Sequence, residues 1–375
     1  MSSSPLEPLY VTTATAHYPV VVAPDALPML PHLLAEHDLH GKLWLICDSN
    51  VAEGYGTPLM QQLQAVGWQI QAYSVPSGEA SKNAEQYGQL CTWLIANGVE
   101  RGDVVLALGG GVVGDLAGFV AASVLRGIAF VQLPTTLLAM VDASIGGKTG
   151  INHPLGKNLI GAFHQPRLVL ADTRLLRSLP PRELAAGWAE VIKHGVIYDA
   201  GLFALLEQHA TELAQLAEPR TSSIIRQAAA VKVAVVSQDE HERGLRMILN
   251  YGHTLGHALE AATGYGTLLH GEAVAIGMHA AAGIAVALGL FTPAERMRQQ
   301  ALLHTYGLPT AFPTSTDPQA VVALTLRDKK VQQRRVRWIL PTTIGAVTIR
   351  ADVPAELVQA VVTEANVPPP SRSDA

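Results

Sequence analysis

Continuous apolar runs that alternate with helical segments constrain the fold of the first half of this chain more than any other feature. Val104–Leu108 and Ile128–Leu133 are almost entirely apolar, and each run is followed by glycine or proline. A strand without polar alternation must be buried on both faces, which is typical of a parallel sheet covered by helices. Two further strands and two helices are predicted, namely Lys42–Cys47, Pro58–Val66, Trp68–Val75 and Glu85–Asn97. We therefore predict an α/β domain with a Rossmann-like parallel sheet and with ligands at the carboxyl ends of its strands.

The second half changes in character from about Pro180 onward, where Ala, Leu, Glu and Gln recur with helical spacing. Near the end, Val336–Leu340 and Ala346–Ile349 predict a hairpin. The helices predicted in this half are Leu184–Tyr198, Gly201–Leu216, Thr221–Val236, Thr254–Ala262 and Glu272–Leu288. These patterns predict two domains, an α/β domain over residues 1–178 and a mainly helical domain over residues 179–375, with a cleft between them.

The charge content excludes several classes of protein. Only 15% of the residues are charged, against about 25% in an average domain, and the net charge is −5. A disordered chain would carry more charge and fewer apolar residues, and a general nucleic-acid binder would be basic. We therefore expect a folded protein with no nucleic-acid partner.

The cysteines and the apolar segments indicate in which cellular compartment the protein is expected. Cys47 and Cys91 are the only cysteines and neither lies in a CxxC motif, which favours a reducing compartment, the cytoplasm. The N-terminal residues lack the basic and apolar regions of a secretory signal. The 19-residue stretch Ala273–Phe291 is long enough to span a membrane, but it is rich in Ala and Gly, so we expect a buried helix and no membrane association.

A glycine-rich turn follows the strand Val104–Leu108. Gly109, Gly111 and Gly114 match the pattern GxGxxG. Such glycines allow a pyrophosphate to approach the backbone, and the helix that follows binds anions at its N-terminus. The motif lies on a later strand than in the usual dinucleotide fingerprint, and no acid follows about 20 residues on, so a structural turn is the alternative. Asp48, at the end of an earlier strand, is predicted to hold a ribose hydroxyl or to cap a helix.

A second segment with glycines and lysines runs over Pro134–Asn158. It contains Asp142, Lys148 and Lys157 together with small hydroxyl residues, in a stretch predicted to be rich in loops. Lysine charge and glycine backbone donors are typical of a phosphate-binding site. The segment is not a Walker A loop, because the residues before its GKT lack a glycine at the required distance. A solvated loop is the alternative interpretation.

Histidines crowd one part of the helical half. The 39 residues from His241 to His279 contain five of the 14 histidines. His253 and His257 are four residues apart on one helix face, and Glu190 lies upstream. Two histidines and a carboxylate are typical of a catalytic zinc site that keeps positions open for substrate. Spacing alone does not choose between His253 and His257, or between Glu190 and Glu260.

Basic residues are also concentrated in the helical half. Lys232 lies in an apolar helical segment, where a lysine usually faces a cleft or a partner charge. The other members of this set are Lys193, Arg243, Arg246, Lys329 and Lys330. A nucleotide site, a metal and several cations in one cleft indicate redox chemistry on a small, anionic, hydroxylated substrate, with a nicotinamide as hydride acceptor.

Six segments, in this order, resemble the 3-dehydroquinate synthase family of sugar-phosphate cyclases. They are GGGVVGDLAGFVA, LRG, PTTLLAMVDASIGGKTGINHPLGKN, LPPRELAAGWAEVIKHG, RMILNYGHTLGHALE and HGEAVAIGM, and the match runs from about residue 42 to residue 345. The resemblance implies a fold distantly related to metal-dependent polyol dehydrogenases such as glycerol dehydrogenase. Trp188, Tyr251 and a longer N-terminus depart from the family pattern without removing a functional residue.

The resemblance also implies a reaction. It would convert 3-deoxy-D-arabino-heptulosonate 7-phosphate to 3-dehydroquinate and phosphate, in the shikimate pathway toward aromatic amino acids. NAD would oxidise a ring hydroxyl transiently, phosphate would leave by β-elimination, and reduction, ring opening and an aldol closure would follow. The implied cofactors are NAD and a divalent metal, zinc or cobalt.

Roles for individual residues are carried over by position. The metal ligands would be Glu190, His253 and His270, and the catalytic residues would be His257, Glu242 as proton acceptor, Lys193 and Asp142. The NAD contacts would be Asp48, Ser77, Gly78, Glu79, Ala80, Ser81, Lys82, Gly110, Gly111, Val112, Val113, Gly114, Asp115, Thr135, Thr136, Lys148, Lys157, Leu175, Leu176, Arg177 and Ser178. The substrate contacts would be Arg126, Asp142, Lys148, Asn158, Lys193, Lys232, Arg246, Asn250, His257 and either Lys329 or Lys330. Arg126 would reach the site of a neighbouring subunit, which implies a homodimer.

Three alternatives stay open at this point. The first is another sugar-phosphate cyclase, such as a 2-deoxy-scyllo-inosose or valiolone-type synthase. The second is a metal-dependent polyol dehydrogenase, against which the cations Lys148, Lys232 and Arg246 argue, because a neutral polyol offers them no anion. The third is a catalytically inactive nucleotide-binding protein, whose signature would be a lost metal ligand or base.

Overall fold

The chain forms two units, each defined by its internal contacts. The first comprises Met1–Pro180 and Leu216–Glu242, and the second comprises Pro181–Gln215 and Arg243–Ala375. The structure, a computed structural model, describes residues 7–264, 266–314, 316–327 and 336–365. Lys329 and Lys330, predicted to contact the substrate, lie outside the described residues.

A seven-stranded sheet forms the centre of the first unit. The strands of this unit are β1 Leu9–Thr12, β2 His17–Ala23, β3 Leu43–Asp48, β4 Ile70–Val75, β5 Val104–Gly109, β6 Ala129–Pro134, β7 Lys148–His153, β8 Gly156–Phe163 and β9 Leu168–Asp172. The sheet has the order β1-β2-β9-β6-β5-β3-β4, while β7 and β8 form a separate antiparallel hairpin. Only the β1–β2 pair of the large sheet is antiparallel, and its other neighbours are parallel.

Helices cover both faces of this sheet. Those of the first unit are α1 Leu30–Glu36, α2 Ser49–Val51, α3 Thr57–Ala65, α4 Ala84–Ala96, α5 Gly111–Ser123 and α9 Arg220–Gln238, numbered along the whole chain. Alternate residues of β3 and β5 enter two different cores. Leu45 and Leu106 pack in one core, whereas Trp44 and Val105 pack in the other. The prediction of a two-sided parallel sheet in an α/β fold is therefore confirmed.

Helix α9 belongs to the first unit, whereas the sequence pattern predicts one helical domain over residues 179–375. Its buried side chains include Ile224, Ile225 and Val235. The backbone N–H of Thr12, on β1, donates to Ser237 Oγ at 3.1 Å. Helical spacing predicts that this segment is a helix, but it carries no information about which unit the apolar face meets.

The stretch predicted to be rich in loops contains a hairpin instead. Strands β7 and β8 pair in register from Lys148↔Phe163 to Ile151↔Ile160. Gly150 and Gly161 face each other in this pairing, and a Cβ on Gly161 would lie 2.1 Å from the Thr149 carbonyl oxygen. The high glycine content and the weak polar–apolar alternation of these strands conceal them in the sequence.

The second unit is mainly helical. Its helices are α6 Pro181–Ile197, α7 Ala200–Gln208, α8 Ala210–Ala214, α10 His253–Thr263, α11 His270–Ala287, α12 Pro293–Thr305, α13 Pro318–Arg327 and α14 Ala355–Ala365. The predicted hairpin is confirmed as β10 Trp338–Thr343 and β11 Ala346–Arg350. The single helix predicted over Gly201–Leu216 is wrong, because the chain leaves helical geometry at His209, where φ is −114° and ψ is 18°.

Helix α11 is buried along almost its whole length inside the second unit. Its buried residues include Ala273, Ile276, His279 and Ile284. This agrees with the expectation of a buried helix for the apolar stretch that begins at Ala273. Across the part of the chain that the structure describes, no helix has the length and hydropathy that a bilayer crossing requires.

Candidate functional site

The strand order of the first unit reverses between β3 and β5. The chain continues from β3 to β4 on one side, whereas β5 and β6 lie on the other side. Asp48 ends β3 and Gly109 ends β5, and a Cβ on Gly109 would lie 3.1 Å from Asp48 Oδ2. Ligands of open α/β sheets bind at such a reversal, outside the carboxyl ends of the strands. The predicted nucleotide residues Asp48 and Gly109–Asp115 therefore lie where this fold binds its ligands.

The N-terminus of α5 offers backbone N–H groups to an anion. Gly110 is its N-cap, and no side chain in the described structure makes a capping hydrogen bond there. Thr135 follows β6 and donates its backbone N–H to the Gly109 carbonyl at 2.9 Å. A Cβ on Gly110 would lie 3.0 Å from Thr136 Cγ2, so a larger residue would crowd this turn. These features fit the pyrophosphate of a dinucleotide.

Asp48 also performs the alternative role considered for it. Its Oδ1 accepts a hydrogen bond from the Asn50 backbone N–H at 2.8 Å, which caps the short helix α2. Burial raises the pKa of Asp48, and the hydrogen bonds from Asn50 and Val51 oppose this shift. Capping uses one carboxylate oxygen, and Oδ2 is the oxygen beside Gly109.

A buried lysine, Lys82, contacts two other predicted site residues of the first unit. Lys82 Nζ lies 2.5 Å from Asp115 Oδ2 and 2.5 Å from Asn158 Oδ1. Asp115 is on the first turns of α5, Asn158 is on β8, and Lys82 follows the segment Ser77–Ser81. The pairing brings one end of that segment to the glycine-rich turn.

Two further lysine–carboxylate pairs lie in the first unit. Lys148 Nζ forms an ion pair with Glu242 Oε2, and the Lys148 side chain is half exposed. Lys232 Nζ lies 2.5 Å from Asp142 Oδ1, and both side chains are largely buried. Each pair combines one residue of the Pro134–Asn158 segment with one residue far along the chain, and all four were predicted site residues.

Three of the predicted site residues adopt left-handed backbone conformations. The φ angles are 68° at Arg126, 56° at Asn158 and 58° at Glu242. Such values are uncommon for residues other than glycine, and they concentrate where a structure holds a side chain in a particular direction. Asp25, Asp38, Leu125 and Leu216, for which no site role is predicted, also have positive φ, so the backbone conformation does not distinguish the three predicted site residues.

Three possible metal ligands converge in the second unit. Glu190 Oε1, on α6, lies 3.5 Å from His253 Nε2 and 3.7 Å from His270 Nε2. Glu190 is fully buried, and Lys193, one turn along the same helix, forms an ion pair with its other oxygen. One ligand atom from each of Glu190, His253 and His270 lies within 4.8 Å of the others. One carboxylate and two imidazole nitrogens are a donor set that fits zinc or another divalent transition metal.

The remaining imidazole nitrogens have partners of their own. His253 Nδ1 lies 3.1 Å from the Tyr251 carbonyl oxygen, and His270 Nδ1 lies 3.4 Å from Glu260 Oε2. In the neutral form with hydrogen on Nδ1, each ring would have its Nε2 lone pair on the side of Glu190, available to a metal that displaces the Nε2 proton. This is the arrangement in which metal-ligating histidines are held.

A second group shares one residue with the first. His257, Glu260 and His270 also offer ligand atoms within 4.8 Å of one another. His257 is exposed, whereas Glu190 in the first group is fully buried. Residue spacing in the sequence left two choices of ligand open, His253 or His257 and Glu190 or Glu260. The structure places these residues in two overlapping groups of possible metal ligands, which share His270.

The two candidate histidine ligands differ in electrostatic environment. Burial and the neighbouring Lys193 ammonium lower the pKa of His253. Burial also lowers the pKa of His270, but hydrogen bonds to Glu190 and Glu260 outweigh it and raise the pKa to about 9. Carboxylates thus stabilise positive charge around His270, and a divalent cation supplies such charge.

The other predicted residues occupy varied environments. Arg246 is buried in the helical turn Leu245–Asn250, which also carries Asn250, and Arg126 is exposed after α5. In the turn Thr173–Ser178, Leu175 and Leu176 are buried and Arg177 and Ser178 are exposed. The segment Ser77–Ala80 is exposed, while Lys157 is partly buried on β8.

Glu260 is the residue for which the resemblance supplied no role. It lies seven residues after His253 and three after His257, on the same face of α10. That spacing was visible in the sequence and made Glu260 an alternative metal ligand. Its position beside His270, however, depends on how α10 packs against α11.

Models of two protein families match consecutive parts of the chain. The 3-dehydroquinate synthase N-terminal model matches residues 72–186, and the C-terminal model matches residues 187–331. A 3-dehydroquinate synthase of Nostoc punctiforme is 48% identical over 347 residues, covering 92% of this chain and 96% of the relative. The enzyme of the same name from Thermosynechococcus vestitus is 49% identical, covering 91% and 94% of the two chains.

Solved structures share the fold across both units. A 2-epi-5-epi-valiolone synthase from Streptomyces hygroscopicus, with NAD+ and Zn2+ bound, has a TM-score of 0.86 and 32% identity, covering 92% of this chain and 96% of its own. A 2-deoxy-scyllo-inosose synthase, complexed with carbaglucose-6-phosphate, NAD+ and Co2+, has a TM-score of 0.85 and 28% identity, covering 96% and 100%. A probable glycerol dehydrogenase from Sinorhizobium meliloti, at 17% identity and a TM-score of 0.65, covers 92% and 95% and shares the fold alone. With both family models matched and close relatives covered almost end to end, the chain belongs to the 3-dehydroquinate synthase family.

Proposed function

We propose that this chain is a 3-dehydroquinate synthase, a carbon–oxygen lyase that converts 3-deoxy-D-arabino-heptulosonate 7-phosphate to 3-dehydroquinate and phosphate. The observation that carries the proposal is 48% identity over 92% of the chain to a relative of that name. The described chain retains the glycine-rich turn of the first unit and the Glu190–His253–His270 group of the second. A catalytically inactive member of the family would be expected to have lost part of this set.

The proposed cofactors are NAD and a divalent metal, zinc or cobalt. Asp48 and the N-terminus of α5 would hold NAD, and Glu190, His253 and His270 would hold the metal. When bound, NAD supplies a reversible hydride acceptor and the metal supplies a Lewis acid. Support comes from the open turn at Gly110, from the three converging donors, and from the ligands of the two solved cyclases.

Buried cations would bind the anionic groups of the substrate. Lys232 in the first unit and Lys193 and Arg246 in the second are almost fully buried. A buried cation is costly unless it is paired, and Lys232 and Lys193 pair with Asp142 and Glu190. Substrate phosphate and carboxylate would provide further partners. Local attraction of this kind is compatible with a net charge of −5, because a few fixed cations set the potential at a site.

Proton transfer would be assigned to Glu242. Its Oε2 is held by the Lys148 ammonium, which favours the ionised carboxylate. After a hydroxyl has been oxidised to a ketone, the carboxylate would accept the proton from the neighbouring substrate carbon. The C–H electron pair would form a C=C bond, and the electron pair of the breaking C–O bond would leave with phosphate. The backbone at Glu242 is left-handed, with φ of 58°, and its side chain pairs with Lys148.

A homodimer is proposed as the working assembly. The side chains of Leu159 and Ile160 on β8 are 48% and 39% exposed, and Leu155 in the connecting turn is 86% exposed. Apolar side chains grouped in this way are typical of interfaces between subunits. Exposed Arg126 would serve the site of the second subunit. Both cysteines are free thiols, which fits the proposed cytoplasmic location.

One assay tests the proposed reaction. Purified protein with zinc and NAD is incubated with the heptulosonate phosphate, and phosphate release and NADH absorbance are followed together. The expected result is phosphate release without net NADH, because the cofactor is regenerated in each turnover. Net NADH with glycerol and no phosphate release would instead identify a polyol dehydrogenase. Turnover of glucose 6-phosphate in place of the heptulosonate would identify another sugar-phosphate cyclase.

A further inference from the structure

A second carboxylate lies beside the candidate metal group of the second unit. Glu260 is only 5% exposed, and its Oε2 lies 3.4 Å from His270 Nδ1. We propose that Glu260 is the positioning residue for His270, holding the ring so that Nε2 presents its lone pair toward Glu190. The inference rests on the proposed metal centre and deepens it, because it assigns a determinant of metal affinity outside the three ligands.

The two nitrogens of His270 face two different carboxylates. Nδ1 lies beside Glu260 Oε2, and Nε2 lies 3.7 Å from Glu190 Oε1. A neutral imidazole carries one N–H, and only the other nitrogen can bind a metal. With Glu260 accepting from Nδ1–H, the tautomer with a free Nε2 lone pair is favoured. The opposite tautomer would direct an N–H group toward the position of the metal.

His253 provides an internal comparison. Its Nδ1 lies 3.1 Å from the Tyr251 carbonyl, and its Nε2 lies 3.5 Å from Glu190 Oε1. Both rings therefore use Nδ1 for a fixed acceptor and Nε2 for the ligand group. The acceptor of His253 is backbone, whereas the acceptor of His270 is a side chain. A side-chain acceptor can be removed by mutation, whereas a backbone carbonyl cannot. The effect of an orienting acceptor can therefore be measured at His270.

Burial explains why this carboxylate is suited to orientation. A carboxylate removed from water is costly unless it is hydrogen-bonded, so Glu260 is stabilised by keeping the His270 contact. The contact also places negative charge behind the ring, which increases the basicity of the ligating nitrogen. His270 begins α11 and Glu260 lies on α10, so the contact further joins the two helices that carry histidine ligands.

The test is an equilibrium measurement of zinc affinity. Zn2+ is titrated against a chromogenic chelator in full-length protein carrying Glu260→Ala or Glu260→Gln. Glu207→Gln serves as the control, because Glu207 pairs with Arg298 elsewhere in the same unit. Loss of a partner that orients a metal ligand typically weakens metal binding by about 10- to 100-fold. We expect that loss for Glu260→Ala, a smaller one for Glu260→Gln, whose amide oxygen still accepts from Nδ1–H, and none for Glu207→Gln.

The d–d absorption of bound Co2+ separates orientation from a general effect on folding. We expect Glu260→Ala to change the band positions and Glu260→Gln to restore them in part, at a temperature at which both variants are folded. If Glu260→Ala does not fold, the zinc affinity of the near-isosteric variant Glu260→Gln tests the proposal by itself. Wild-type affinity and spectra in the variants that fold would overturn the proposal. So would complete loss of zinc in Glu260→Gln and in His257→Ala, which would make Glu260 a ligand. A wild-type protein without zinc affinity would instead refute the metal centre itself.

Discussion

Lys232 and Asp142 form a largely buried ion pair in the first unit, with 2.5 Å between Nζ and Oδ1. The lysine is on α9 and the aspartate is in the helical turn Ala139–Ala143, 90 residues earlier. The pair joins a helix from the later part of the sequence to the α/β sheet domain. Because both residues are proposed to contact the substrate, the pair also fixes two of the proposed binding groups side by side.

Removing the lysine of this pair should destabilise the first unit. Lys232→Met leaves the Asp142 carboxylate without its ammonium partner, so we expect the free energy of unfolding to fall by about 3 kcal/mol. The double variant Lys232→Met/Asp142→Leu should recover part of that loss. Urea unfolding measures both. Arg174→Met, which breaks the exposed pair with Asp25, is the control and should cost less than about 1 kcal/mol. Equal losses in the buried and the exposed pair would contradict the expectation.

Two glycine-to-alanine substitutions should have opposite effects. A Cβ on Gly277, in α11, would lie 2.0 Å from the Gly252 carbonyl oxygen, which is backbone and cannot turn away. We expect Gly277→Ala to destabilise the protein by about 3 kcal/mol. Gly88, in α4, has nothing within 4 Å of such a Cβ, so Gly88→Ala should stabilise by about 0.5–1 kcal/mol. Thermal unfolding compares the two variants, and a stable Gly277→Ala protein would show that the helix contact is looser than described.

His279 should make stability depend on pH below neutrality. It is 7% exposed, and Arg296 Nη2 lies 3.4 Å from its Nε2. Burial, together with the positive charges of Arg296 and His304, lowers the pKa of His279 to about 4. The unfolded state, with a histidine pKa of about 6.5, therefore binds more protons than the folded state between these values. The contribution of His279 to the free energy of unfolding is therefore fully present above pH 6.5. It decreases by about 3 kcal/mol as the pH falls from 6.5 through 4.

The variant His279→Gln isolates this contribution. The free energy of unfolding of the wild type, measured in urea from pH 7.5 to pH 4.5, should fall more steeply than that of the variant. The comparison of slopes removes the contributions of other titrating groups, which both proteins share. Parallel slopes would mean that His279 does not hold a lowered pKa in the folded protein.

Zinc content should distinguish the two overlapping groups of possible ligands. His253 belongs only to the group with Glu190, and His257 belongs only to the group with Glu260. We expect His253→Ala to lose bound zinc and His257→Ala to retain it at one ion per chain, measured by elemental analysis after gel filtration. EDTA should remove the metal from the wild type and abolish phosphate release, and added zinc should restore it. The reverse pattern in the two variants would transfer the metal to the His257–Glu260–His270 group.

Several elements were predictable because local chemistry decided them. Strands β3, β5 and β6 follow from continuous apolar runs, and each agrees with its predicted range to within one residue at either end. Helices α3, α4 and α10 follow from apolar spacing in the same way. The β7–β8 hairpin could not be predicted from local patterns. Its glycine-rich strands lack the alternation of polar and apolar residues, and its register depends on pairing across the turn.

The sequence by itself determined the family, the two-sided sheet, the glycine-rich turn and the crowding of histidines, because each is written in short-range residue patterns. Only the tertiary structure decided that α9 packs with the α/β unit and that Glu190 faces His253 Nε2. The tertiary structure also places Glu260 Oε2 beside His270 Nδ1. The physical reason is that periodicity defines which residues share a helix face, whereas packing between helices distant in sequence determines what that face meets.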